Sequence, residues 1–237
     1  MKINEIKVKI GILGGIGPEA SANFYEKLIS KLQKCGLIKK NTDYPQIIIN
    51  SIPAPELTKD KITKEKLNFY LKGIKEIDKM NVDFIVMICN TIHLFLDAFK
   101  KRCNAPILDL REKIYKILKQ KKVNTIAVLS TKSSNLENLY KFQDFNYISL
   151  TQQDYKKISL AINEFNIGKN GEKHRSILKK IIFKCFKKGA EVIILGCTEI
   201  ALMLEDELFP KIDTIEVLVD LTVSNYKSLI KKYEKTK

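Results

Sequence analysis

Two stretches of this sequence share one organisation: VDFIVMICNTIHLFL at residues 82–96 and AEVIILGCTEIALML at residues 190–204. In each stretch a short apolar run is followed by a cysteine, Cys89 or Cys197, and then by a threonine and a stretch with helical spacing. An unbroken apolar run is typical of a strand that is buried on both faces. The two stretches are offset by 108 residues in a chain of 237, which predicts two related α/β lobes.

Strand and helix patterns alternate along the rest of the chain. Such alternation predicts an α/β fold with parallel sheets and helices on both faces, in which ligands bind at the carboxyl ends of the strands. We expect an N-terminal lobe over residues 1–105, completed by the C-terminal helix 217–237, and a second lobe over residues 106–216. The predicted strands are 7–13, 46–51, 83–88, 125–129, 146–150, 191–195 and 214–216. The predicted helices are 18–32, 63–80, 110–119, 134–142, 153–165, 173–188, one from 199, and 219–232.

Composition excludes several classes of protein. The chain is 45% hydrophobic and 29% charged with ten glycines and six prolines, which excludes collagen-like and wholly disordered chains. The longest apolar run, 84–89, is far shorter than the roughly 20 residues of a membrane span. The N-terminus lacks the features of a signal peptide, so we expect a cytoplasmic protein without a membrane partner. Five cysteines without a CxxC pair argue against disulfides and against a metal site made of thiolates.

The net charge of +15 raises the possibility of a nucleic-acid partner. However, 39 of the 42 basic residues are lysines, whereas arginine is the residue suited to bidentate phosphate and base contacts. Lysines spread along the whole chain are typical of solvated helix faces. We therefore expect no nucleic-acid partner, although the positive charge can help to attract small anionic substrates.

Cys89 and Cys197 are the main candidates for chemistry. A cysteine between a strand and a helix lies beside the free N–H groups of the first helical turn, and we expect these groups to draw its pKa toward neutrality. One alternative is that both cysteines are small apolar residues that only fill the core. Another is a Cys/His hydrolase in which His93 or His174 activates a cysteine. Two facing thiols suit a different task, because one thiolate can remove a proton from a carbon while the other thiol returns one from the opposite side. The product is the mirror image of the substrate.

The glycine-rich segment GILGGIGPEA, residues 11–20, follows a strand and opens a helix. It contains a GxGxxA pattern, but the next strand ends at Asn50 and Ser51 without the acidic residue that binds a ribose, and no Lys-Ser/Thr pair follows. We interpret it as a loop whose amides hold a small anion such as a carboxylate. Polar residues also follow the other strands, where they can cap helices or bind a ligand: Asn90, Thr91, Thr131, Ser133, Ser134, Thr198 and Glu199.

Together the motifs GILGGIGPEASANFYEKL, CNTIH at 89–93 and LGCTEIALML at 195–204 resemble the aspartate/glutamate racemase family of cofactor-independent amino-acid racemases. The resemblance runs over almost the whole chain. It implies two flavodoxin-like lobes related by a pseudo-twofold axis, an active site between them, no cofactor or metal, and a homodimer. It also implies that Cys89 and Cys197 are the two acid/base catalysts. The residues implied to hold the substrate's carboxylate and ammonium are Gly14, Gly15, Ile16, Gly17, Asn90, Thr91, Thr131 and Thr198.

The sequence departs from this family in the region expected to hold the second carboxylate of an acidic substrate. No arginine occurs in SIPAPELTKD at 51–60, and Asn166 or Ile167 stands where a lysine is expected in NEFNIGKN at 163–170. Lys59 or Lys169 is a possible substitute. Aspartate or glutamate is the predicted substrate, and a neutral amino acid is the alternative. A maleate-isomerase-like or decarboxylase-like enzyme on the same scaffold is a further alternative.

Overall fold

The computed structural model describes residues 8–55, 57, 63–136, 138–169 and 171–235. The strands are β1 (Lys9–Gly14), β2 (Gln46–Ser51), β3 (Phe84–Met87), β4 (Thr125–Leu129), β5 (Asn146–Tyr147), β6 (Val192–Leu195) and β7 (Lys211–Asp213). The α-helices are α1 (Pro18–Lys34), α2 (Lys64–Asp78), α3 (Leu96–Lys100), α4 (Leu110–Lys121), α5 (Lys132–Leu136), α6 (Gln152–Phe165), α7 (Gly171–Lys187), α8 (Thr198–Met203) and α9 (Thr214–Lys235). Short 3₁₀ helices span Asn41–Asp43 and Thr91–Phe95.

The strands form two parallel sheets with the same internal order. The first sheet has the order β2-β1-β3, and a bridge between Ile85 and Ile107 extends it beyond β3. The second sheet has the order β5-β4-β6-β7. In both sheets the first strand of the set lies between the second and the third. The predicted α/β class with two similar parallel-sheet lobes is therefore confirmed.

One continuous apolar core joins the two lobes. It includes residues from both sheets, such as Ile12 and Ile193, and from the helices between them, such as Phe24 and Ile114. Helix α9 packs against α1 and α4, so the end of the chain returns to the beginning. Lys27 of α1 also pairs with Glu205, at 2.7 Å, and with Glu216 of α9. These contacts hold the two sheets in one arrangement.

Three predicted elements differ from the structure. The strand predicted at 146–150 ends at Tyr147. The helix predicted at 134–142 ends at Leu136, and Asn138 has a positive φ of 55°, a left-handed conformation that asparagine tolerates better than most residues. The strand predicted at 214–216 lies instead at Lys211–Asp213. The Asp213 carboxylate accepts hydrogen bonds from the backbone N–H groups of residues 215 and 216, and this cap starts α9 at Thr214.

The lobe boundaries at 105/106 and 216/217 stay a prediction. Ile107 lies just beyond the first of them and pairs with β3, and α9 crosses the second. Within the residues that the structure describes, no helix is both long and apolar enough to cross a membrane.

We predict that Phe24→Ala lowers the free energy of unfolding by about 3–5 kcal/mol, because Phe24 is fully buried in the shared core. The neighbouring Tyr25 is 41% exposed, so Tyr25→Ala serves as a matched control with a loss of less than about 1 kcal/mol. Urea denaturation followed by circular dichroism measures both values. Equal losses in the two variants would contradict the core described above.

Candidate active site

Cys89 and Cys197 lie at matching places in the two lobes and line the same pocket. Each follows its strand, β3 or β6, by two residues, as the paired sequence segments predicted. The pocket lies between the two sheets and has a volume of about 170 Å³. Its described lining consists of Gly15, Ile16, Gly17, Pro18, Ala54, Leu57, Cys89, Thr91, Thr131, Ile162, Asn166, Cys197 and Glu199.

Hydroxyl groups from both lobes meet beside the cysteines. The Thr91 hydroxyl lies 2.9 Å from the Ser134 hydroxyl, and the Thr131 hydroxyl donates to Ser134 at 3.0 Å. Thr91 and Thr131 line the pocket, whereas Ser134 lies behind them. All three side chains are almost fully buried, so their mutual hydrogen bonds fix the direction of the two pocket-facing hydroxyls.

Burial raises the pKa of the Cys89 thiol to about 12, and the negative charge of Glu199 adds to this effect. The backbone N–H groups of Ile92 and Thr91 and the Thr91 hydroxyl act in the opposite direction. The contacts expected from the start of a helical turn are therefore present, but desolvation outweighs them. The expectation of a near-neutral pKa is therefore wrong, and a pKa raised in this way keeps Cys89 a protonated thiol at neutral pH.

Glu199 is the close partner of Cys197. The thiol donates a hydrogen bond to the Glu199 carboxylate at 2.8 Å, and the Thr198 hydroxyl donates to the same oxygen at 3.0 Å. Burial, then the charge and the hydrogen bond of Glu199, raise the pKa of Cys197 well above its ordinary value. Cys197 is thus also protonated at neutral pH, with its proton directed at a carboxylate.

The glycine loop after β1 approaches the site closely. Gly15, Ile16 and Gly17 line the pocket, as predicted, and both glycines have positive φ. A Cβ at Gly17 would lie 2.5 Å from the Glu199 carboxylate, so the absence of a side chain at this position lets that carboxylate reach the pocket. Gly14 lies outside the lining and packs against Ser21.

Two other predicted ligands, Asn90 and Thr198, do not line the pocket. Asn90 is buried between the lobes, where its Oδ1 accepts a hydrogen bond from Tyr140 and its Nδ2 donates to Thr214 at 3.0 Å. Thr214 in turn donates to the carbonyl oxygen of Leu195, two residues before Cys197, at 2.8 Å. Asn90 therefore belongs to a buried bridge between the two cysteine-bearing segments. The use of Asn90 and Thr198 as substrate ligands stays a prediction.

Neither histidine is placed to activate a cysteine. His93 Nδ1 lies 2.9 Å from the carbonyl oxygen of Cys89, not from its thiol, so this nitrogen is the donor. Burial lowers the pKa of His93 to about 4, which keeps the ring neutral. His174 Nε2 contacts Glu164 at 2.6 Å, away from the pocket. The geometry therefore gives no support to a Cys/His hydrolase.

Several lining residues were not among the predicted site residues. The sequence identifies Glu199 only as a polar residue at the start of a helix. Its position next to Thr198, two residues after Cys197, is the sequence feature that could have indicated a place in the site. Asn166 lines the pocket, whereas the Ile167 side chain is 63% exposed and lies outside the lining. Of these two residues, only Asn166 can therefore contact a molecule in the pocket. Lys169 is exposed and outside the lining, and Lys59 falls outside the described residues. Across the part of the chain that the structure describes, no group of three acidic, histidine or cysteine residues could hold a metal ion.

Comparison with known proteins agrees with this arrangement. A family model described as Asp/Glu/Hydantoin racemase matches residues 13–222. The chain belongs to this racemase family. The resemblance predicted from the sequence motifs is confirmed.

Individual relatives of the racemase family cover nearly the same length. The broad specificity amino-acid racemase RacX of Bacillus subtilis is 26% identical over 226 residues, which is 92% of this chain and 97% of RacX. The aspartate racemase of Picrophilus torridus superposes with a TM-score of 0.76 at 22% identity, covering 93% of this chain and 94% of its own. The glutamate racemase of Francisella tularensis, solved with D-glutamate, gives a TM-score of 0.67 at 19% identity over 94% of this chain and 81% of its own. These structures show the two-lobe flavodoxin-like fold.

We predict that Glu199→Gln makes Cys197 more reactive toward iodoacetamide. The change removes the negative charge that raises the thiol's pKa, so the thiolate fraction at a given pH increases. At one mildly alkaline pH the thiolate fraction should rise about tenfold for each unit by which the pKa falls, and the alkylation rate about three- to fourfold, because the thiolate also becomes less nucleophilic. Peptide-resolved mass spectrometry over a pH series measures it. Cys185, whose pKa of about 11 depends on burial and on Asp154, is the internal control, and an equal rate increase there would contradict the assignment.

We also predict that Tyr140→Phe destabilises the fold by about 1–3 kcal/mol, because the buried Oδ1 of Asn90 loses its donor. Tyr155→Phe is the control, since the Tyr155 hydroxyl makes no hydrogen bond to the described residues. Denaturant titration compares the two variants. A change of less than about 0.5 kcal/mol in Tyr140→Phe would show that the bridge contributes little.

Proposed function

We propose that this protein is a cofactor-independent amino-acid racemase that moves the α-proton between Cys89 and Cys197. The observation that supports this proposal best is that two buried cysteines, one from each lobe, line a single pocket. An enzyme that protonates only one face of its substrate needs one such group. The pair therefore favours a racemase over the maleate-isomerase-like and decarboxylase-like alternatives.

The proposed reaction exchanges the protonation states of the two cysteines. The thiolate of one cysteine removes the α-proton, and the electron pair left on Cα is delocalised into the substrate carboxylate. The thiol of the other cysteine then gives its proton to the opposite face of Cα. One thiol and one thiolate are present before and after the reaction, so no oxidant, reductant or metal is needed for the balance.

Glu199 supplies a route to the first thiolate. When Cys197 gives its proton to the carboxylate that accepts its hydrogen bond, a thiolate and a carboxylic acid are formed. The ammonium group of a bound amino acid favours this transfer when it lies closer to the Cys197 sulfur than to the Glu199 carboxylate, because it then lowers the pKa of the thiol more than that of the carboxyl group. In this proposal, substrate binding produces the thiolate.

The carboxylate of the substrate must be stabilised as negative charge develops on it. We place it near the Thr91 hydroxyl and the amides of the loop 15–17. Thr131 donates its hydroxyl proton to Ser134, and Ser134 can donate to Thr91, which leaves the Thr91 proton for the substrate. Preorganised donors of this kind stabilise a developing charge without having to reorganise during the reaction. Coupled titration of the two thiols follows from their shared pocket.

Aspartate or glutamate remains the substrate predicted from the resemblance. The names of the relatives support amino-acid racemisation more than one substrate, since they include a broad specificity enzyme, an aspartate racemase and glutamate racemases. The expected homodimer and cytoplasmic location also remain part of the proposal.

We predict that Cys89→Ala and Cys197→Ala each lower kcat/KM for racemisation by about 10²–10⁴-fold, because each removes one acid/base group. Exchange of the Cα hydrogen in D₂O, followed by NMR with EDTA present and no cofactor added, is the measurement. A variant that still exchanges one enantiomer would show which face each cysteine serves.

The matched controls for these two variants are Cys103→Ala and Cys185→Ala, which lie outside the pocket. They should retain activity within about twofold after correction for folded protein, which circular dichroism measures. Full activity in either pocket variant would rule out the two-thiol mechanism.

A further inference from the structure

The pocket lining falls into two sets that come from different parts of the fold. The first set lies at the carboxyl ends of β3, β4 and β6 and contains the thiols, two hydroxyls and the Glu199 carboxylate. The second set comes from the β1–α1 loop, the β2–α2 connection and α6. Its side chains are Ile16, Pro18, Ala54, Leu57, Ile162 and Asn166. All of these except Asn166 are apolar.

The reaction determines which set the substrate side chain contacts. Proton transfer requires Cα to lie between the two thiols, and the Thr91 hydroxyl and the backbone amides of the loop 15–17 are available to the α-carboxylate. The side chain is then left to the second set. This step rests on the function proposed above, because it takes the two cysteines as the groups that act on Cα.

An acidic side chain would be poorly accommodated by this second set. No described lining residue is a lysine or an arginine, and the Cys197–Glu199 pair carries one negative charge in the same pocket, whichever of the two groups holds the proton. Asn166 can donate hydrogen bonds but carries no charge. A carboxylate taken out of water without a cationic partner, and close to another negative charge, is strongly disfavoured.

We propose that the pocket selects amino acids with an uncharged side chain over aspartate and glutamate, and that Asn166 sets this preference. Apolar side chains such as those of alanine, leucine and methionine would pack against Ile16, Leu57 and Ile162. The Asn166 amide would border the same space and admit a neutral polar group.

The first test measures Cα–deuterium exchange by the wild-type protein with alanine, leucine, methionine, asparagine, aspartate and glutamate. Asparagine and aspartate have nearly the same shape, so this pair separates the effect of charge from that of size. We expect kcat/KM for the best neutral substrate, and for asparagine, to exceed that for aspartate at least about tenfold.

The second test introduces a positive charge at the proposed side-chain position. Asn166→Lys should raise the ratio of kcat/KM for aspartate to that for asparagine at least about tenfold, because the new ammonium can pair with the second carboxylate. Ile167→Lys adds the same charge one residue later, on a side chain that is 63% exposed and outside the lining. It should change the ratio less than about twofold, as expected for a screened surface charge.

The possible outcomes separate this inference from the proposed function. Exchange that is fastest with aspartate or glutamate in the wild-type protein would overturn the inference and leave the racemase proposal intact. A similar shift in Asn166→Lys and Ile167→Lys would overturn the role of Asn166. Absence of exchange with every amino acid would overturn the racemase proposal and, with it, this inference.

Discussion

The hydrogen-bonded bridge through Asn90 is the interaction on which the geometry of the two cysteines depends. Asn90 follows Cys89 in the first lobe, and its amide reaches through Thr214 to the carbonyl oxygen of Leu195, just before Cys197 in the second. Because the bridge is buried, each of its polar groups must be paired, and small displacements of one lobe would leave some of them unsatisfied. The bridge thereby fixes the distance between the segment that carries Cys89 and the segment that carries Cys197.

The apolar core also holds the two lobes in position relative to each other. Helix α9 packs on α1 and α4, so the end of the chain braces the lobe in which the chain begins. A pocket between two lobes is otherwise open to hinge motion, since interfaces between domains are commonly small and polar. Here a continuous apolar core spans both lobes and opposes hinge motion between them, which keeps the two sides of the pocket in place.

Much of this arrangement could be predicted from local patterns. The apolar runs before Cys89 and Cys197 are long enough to identify buried strands, and a strand's carboxyl end is where parallel sheets place their ligands. The placement of Asn90 could not be predicted, because an asparagine beside a candidate catalytic cysteine has the same local sequence whether it faces a ligand or another lobe. The segments 51–60 and 163–170 were expected near the substrate side chain only because of the resemblance. Asn166 and Leu57 lie far from the motifs in sequence, and the packing of α6 and the β2–α2 connection brings them to the pocket. The expected lowering of the two thiol pKa values was wrong for a related reason, since burial of a thiol depends on the whole fold rather than on its neighbours in the chain.

Protonation of both cysteines has a consequence for their resistance to oxidation. Peroxides and other oxidants attack thiolates far faster than thiols, and a sulfenic acid on one cysteine would condense with a second thiol nearby. By keeping Cys89 and Cys197 as thiols with raised pKa values, burial and Glu199 slow the first step of that damage. The two thiols therefore react slowly with oxidants, although both line one small cavity.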